Sequence, residues 1–143
     1  MEAVVVDTNV FVAAGFNPRS ASARILAGIR EGRFRLIWNQ PTRRETEMIL
    51  RRIPRLEWSK FADLFRSEEF TGLVEPGVFG GIADPDDRKF AALAAAANAS
   101  LVTNDNLLLA ERDRIGVDLV TPRDFLALRQ ELSTQREDRR DFS

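Results

Sequence analysis

Residues 84–109 read DPDDRKFAALAAAANASLVTNDNLLL. The Gly- and Asp-rich stretch before them, 77–87, reads as a loop, and 87–99 has strong helix propensity. "SLVT" at 100–103 is a short apolar run suited to a buried strand, and "NLLLAERDR" at 106–114 suits a short helix. Helix, strand, then an acid at Asp105 is the rhythm of an α/β unit, and the rest of the chain repeats it. "AVVVD" (3–7), "FRLIW" (34–38), "GLVEP" (72–76) and "VDLVTP" (117–122) read as further strands. Helices are expected at 20–32, 39–53, 56–70 and 122–132. Asn39 and Pro41 mark one helix start, and Gly32 and Pro54 mark helix ends. The alternation predicts a three-layer α/β/α sandwich around a mainly parallel sheet of about five strands. One domain over 1–132 and a charged, disordered tail at 133–143 are expected.

Composition narrows the chemistry. The 143 residues include no Cys and no His. Disulfides, thiolate nucleophiles, Ser-His-Asp triads and the usual zinc sites are therefore excluded. What remains is carboxylates, hydroxyls, cationic side chains and any metal held by oxygen. Of 21 basic residues only Lys60 and Lys89 are lysines, so 19 are arginines, and the net charge is −1. No apolar run reaches membrane-span length and no signal peptide precedes the first strand, so a cytoplasmic protein is expected.

Several acids fall at carboxyl ends of strands or shortly beyond. Asp7 ends the first valine-rich strand and Asp105 follows "LVT", while Glu45 and Asp87 lie on helices that leave the same edge. In parallel sheets that edge is where ligands bind. Without His or Cys, such a set suits Mg²⁺ or Mn²⁺. Each acid also has a plainer use. Asp84, Asp86 or Asp87 can cap a helix, and Glu45 can pair with arginines on its own helix. Asp7 is hardest to explain this way, because it directly follows a buried strand.

"VVVDTNVF", the acid-bearing "NQPTRRETEMILRR" and the 84–109 segment together resemble the PIN domain and its single-domain, VapC-type toxin-like ribonucleases. The resemblance runs from Ala3 to about Leu128. It places the family's acidic set on Asp7, Glu45, Asp87 and Asp105, with Glu47, Asp84 and Asp86 as substitutes, and its hydroxyl and amide positions on Thr8, Asn9 and Thr103. The family's usual serine near the end of the second strand is replaced around Asn39. The resemblance implies a Mg²⁺- or Mn²⁺-dependent ribonuclease, and a protein antitoxin if the chain is a toxin; Asp7 and Asp105 are expected as direct metal ligands, with Asp87 and Glu45 completing the shell directly or through water.

A phosphate track along Arg43, Arg44, Arg51 and Arg52 would offset the acids, or those arginines form an ordinary solvated face. Phe11 and Phe16 are candidates for stacking on a base, with core packing favoured for Phe11. Trp58, Phe61, Leu64 and Phe65 offer an apolar stripe for a partner or a homodimer, core packing being the commoner use. The competing functions are a housekeeping RNA-processing nuclease and an inactive PIN-like binding module. A phosphoryl receiver lacks its lysine, since the last strand ends "LVTP", and an Asp-x-Asp phosphatase is disfavoured by Asn9.

Overall fold

The structure is a computed structural model and describes residues 2–129. The end of the helix expected at 122–132 and the tail expected at 133–143 lie outside the described residues. Four strands, β1 (Glu2–Val6), β2 (Phe34–Leu36), β3 (Ser100–Val102) and β4 (Leu119–Val120), form a parallel sheet in the order β2-β1-β3-β4. Around it lie α1 (Thr8–Phe16), α2 (Ala21–Arg30), α3 (Gln40–Arg52), α4 (Pro85–Ala97), α5 (Asn106–Leu109), α6 (Arg112–Ile115) and α7 (122–129).

β1 is apolar on both faces because both faces are covered. Val4 and Val6 point into one core with Phe11, Ile25, Leu26 and Phe125. Val5 points into the other with Phe90, Leu93 and Leu101. Register is set by Val4 opposite Ser100 and Val6 opposite Val102. The chain leaves β1 toward β2 on one side, then returns past it to β3 on the other. The carboxyl ends of β1 and β3 therefore form the topological switch point where α/β sheets place their crevice. The Asp7 N–H donates to the Val102 carbonyl at 3.0 Å and locks the two ends together.

Two expectations are corrected, and one helix is added. Residues 72–76 form no strand: Leu73 is 80% exposed, and the segment runs from a bend at Gly72 to a 3₁₀ turn, Pro76–Phe79. The edge of β2 is instead met by residues 67–70, with Ser67 Oγ donating to the Leu36 carbonyl at 2.6 Å and Phe70 N–H to that of Trp38 at 2.9 Å. Residues 56–70 do not form one helix but two 3₁₀ turns, Trp58–Lys60 and Ala62–Leu64. Buried Trp58, Phe61 and Leu64 recur every third residue, which suits 3.0 rather than 3.6 residues per turn. These residues are core, so they offer no apolar stripe to a partner. Finally, α1 is an additional helix whose Val10, Phe11 and Ala14 are buried and whose apolar character hides any helical period.

Candidate active site

Asp7 stands where β1 becomes α1, with only 5% of its surface exposed. Its Oδ2 accepts a hydrogen bond from Thr103 Oγ1 at 2.8 Å. The same hydroxyl oxygen accepts from the Asp105 N–H at 3.0 Å, so Thr103 couples the two acids that end β1 and β3. Asp105 caps α5, its Oδ1 accepting from Leu107 and Leu108 N–H at 2.9 and 3.3 Å. Asp87 lies in the first turn of α4, behind Asp84, whose Oδ1 caps that helix through the Asp86 N–H. Glu45 projects from α3. The four acids line one open cleft of about 320 Å³ with Asp84, Asp86, Val12, Ile49 and Phe90.

The electrostatics show which acids share a field. Burial pushes the Asp7 carboxyl above its ordinary value, aided by Asp105 and opposed by the Thr103 hydroxyl and the backbone N–H groups of Thr8 and Asn9. Asp87 is raised to about 7, first by desolvation, then by the charges of Asp7, Asp84 and Asp105. The Asp105 carboxylate nearby further favours its protonated form. Glu45 is held apart: its Oε2 lies 3.1 Å from Lys89 Nζ, which also approaches Asp86 at 3.9 Å.

Thr8 and Asn9 fasten the scaffold. Thr8 Oγ1 meets buried Thr46 Oγ1 at 2.9 Å, tying α1 to α3. Asn9 Oδ1 accepts from the Asn104 N–H at 3.2 Å, and Asn104 Nδ2 donates to Ser22 Oγ at 3.0 Å. Asn39 begins α3 in a reciprocal cap with Thr42, so the residue replacing the family's serine is committed to that helix. Sequence reasoning did not include Thr46, Asn104 or Lys89 in the site. Thr46 and Asn104 carry no sequence signal, whereas Lys89 is a rare lysine beside Asp87.

Glu47 lies outside the cleft. It sits between Arg43 at 3.7 Å and Arg51 at 3.4 Å on another flank of α3. Arg43 also stacks over Trp58 and Phe65, with its guanidinium 5.3 and 5.8 Å from the ring centres, so it is a packing residue as much as a cation. Arg44 and Arg52 are exposed. Phe11 is buried against Phe61 and Phe65, while Phe16 is 52% exposed.

A hard divalent cation fits this donor set in chemistry: oxygen ligands, a buried carboxylate and an acid raised by its neighbours' charge. Among the described residues no three acids form a finished cage for an ion. Glu45 is engaged by Lys89, and one Asp105 oxygen is engaged as a helix cap.

No curated protein matches the chain significantly. A chain in the crystal structure of VapBC2 from Rickettsia felis bound to a DNA fragment from their promoter has a similar fold. Its TM-score is 0.58 at 20% identity, and the match covers 83% of this chain and 98% of that one. The PIN domain family model matches residues 3–107, from the first strand to the start of α5, and so takes in every acid of the cleft. The switch-point crevice is thus the part of the fold that the match spans, and the chain belongs to the PIN domain family.

Proposed function

We propose that the chain is a Mg²⁺- or Mn²⁺-dependent endoribonuclease and the toxin of a toxin–antitoxin pair, acting in the cytoplasm. The observation that carries this is the meeting of Asp7, Asp87 and Asp105 at the switch point, with Glu45 on the facing helix, in a chain without His or Cys. PIN domains are generally nucleases that use divalent ions, and the similar VapBC2 fold supports the pairing with an antitoxin. Among the described residues no helix is long and apolar enough to cross a membrane.

A bound divalent ion supplies Lewis acidity toward water and phosphate. The chain's own residues supply position. Thr103 orients the Asp7 carboxylate and holds Asp105 in register with it. The Asp105 cap leaves one carboxylate oxygen for the cleft. Asp87 holds a proton near neutral pH while it faces its neighbours' charge alone. Val12, Ile49 and Phe90 form the apolar wall, which lowers the local dielectric and strengthens every charge interaction inside.

The test is cleavage of defined RNAs by purified protein, first in EDTA and then with Mn²⁺ restored. Cleavage should require the ion and disappear in Asp7→Asn. Full activity in exhaustive EDTA contradicts the reading. For the toxin role, expression should arrest growth in wild type but not in Asp7→Asn, with relief by a small protein encoded next to the gene.

A further inference from the structure

Lys89 is the unexpected cation at the edge of the cleft. No basic residue is among those lining it, whereas six acids are. Lys89 reaches that set from α4, bridging Glu45 on α3 and Asp86 on its own helix. Its side chain is 24% exposed and that of Glu45 is 12%, so the contact is partly desolvated and stronger than a surface pair. Residue type matters as well. Basic residues in this chain are arginine at 19 of 21 positions, yet lysine stands here. Arginine would grip a carboxylate with a planar, two-pronged fork, whereas lysine offers a point charge on a flexible stem that can withdraw.

We propose that Lys89 is a positioning residue that occupies Glu45 as an internal counter-ion and yields it when a divalent cation enters, so that lysine and metal compete for one carboxylate. This rests on the metal-dependent reading of the cleft. The geometry supports it: among the described residues, Glu45 is the one acid of the proposed set that is held in an ion pair. An acid held this way keeps α3 near α4 without adding to the repulsion among Asp7, Asp87 and Asp105. The fold thus tolerates a metal site before metal arrives.

The test is Mn²⁺ affinity, from calorimetry and from the Mn²⁺-dependent rise in melting temperature carried to millimolar ion. Lys89→Met should bind Mn²⁺ roughly tenfold more tightly, the scale of a close charge pair's coupling. Lys89→Arg keeps the charge but holds Glu45 harder, and should bind several-fold more weakly than wild type. In Glu45→Gln the effect of Lys89→Met should shrink to the residual effect of one charge on the local field.

Equal affinity of Lys89→Arg and wild type overturns the competition, because a pure field effect does not distinguish the two cations. So does a Lys89→Met gain that persists undiminished in Glu45→Gln. Failure of wild type to bind Mn²⁺ at all is a separate result, and it removes the metal-dependent reading itself.

Discussion

Glu45 and Glu47 lie two residues apart on α3 and have opposite surroundings. Glu45 enters the cleft, is nearly buried and is met by one lysine from another helix. Glu47 lies on another flank between two arginines of its own helix, with about a third of its side chain exposed. Two residues along a helix is a rotation of about 200°, so one acid must leave the crevice if the other enters it. Thr46 sets the phase, since its buried hydroxyl meets Thr8 and turns Glu45 toward Asp7's side of the sheet. An identical functional group becomes a site acid or a surface pair by phase alone.

The largest expected effect is on cleavage. Glu45→Gln should lower the rate on the order of 100-fold or more, as expected for removal of a placed charge in an active site. Glu47→Gln should stay within about twofold. Comparable losses in both, measured on one RNA at saturating Mn²⁺, would break the distinction between the two flanks.

A smaller effect separates the flanks in stability. Asp87 is raised from 3.8 to about 7 in the fold. The folded state therefore holds its proton more tightly than the unfolded state does. The resulting strain is absent below the unfolded value and builds as pH rises through about 7. In EDTA, Asp87→Asn should match wild type near pH 4 and be more stable above pH 7, by on the order of 1–2 kcal/mol after discounting for solvent screening. Glu47→Gln should instead cost about 1 kcal/mol or less, without a gain at high pH. An Asp87→Asn protein that melts lower than wild type at pH 8 would contradict the account.

Four strands of the sheet, and the acids at its carboxyl edge, were legible because each carries a one-dimensional signal, whereas the strand expected at 72–76 does not form. Three valines before Asp7 mark a strand buried on both faces, and "LVTND" marks its neighbour. The alanine-rich run identified α4 by propensity alone. What was not legible depends on the third dimension. α1 is apolar on too many sides to show a period, and Trp58, Phe61 and Leu64 repeat at a spacing that mimics a longer helix. The partner of Glu45 lies 44 residues away, beyond any local pattern. The resemblance put the acid on Glu45, and the Thr8–Thr46 contact gives the physical reason that Glu47 faces away.

The smallest effects concern the arginines. Arg43→Ala should destabilise the protein by about 1 kcal/mol through lost stacking on Trp58 and Phe65, leaving the salt dependence of RNA binding unchanged. Arg52 is exposed and lies two turns from Glu45 on the same face of α3. Arg52→Ala should lower the log–log salt slope by about 0.7 if it loses one single-strand phosphate contact. The reverse outcome would move the phosphate track to the Glu47 flank.

The most direct measurement is the melting temperature of wild type and Asp7→Asn at neutral pH, in EDTA and then in Mn²⁺. Asp7 is buried beside Asp105 with its pKa raised, and asparagine keeps an oxygen to accept from Thr103 while removing the charge. The account predicts that Asp7→Asn melts higher than wild type in EDTA and gains less from Mn²⁺. A mutant that melts lower in EDTA and gains as much from Mn²⁺ as wild type would make Asp7 a structural acceptor and contradict the carboxylate site.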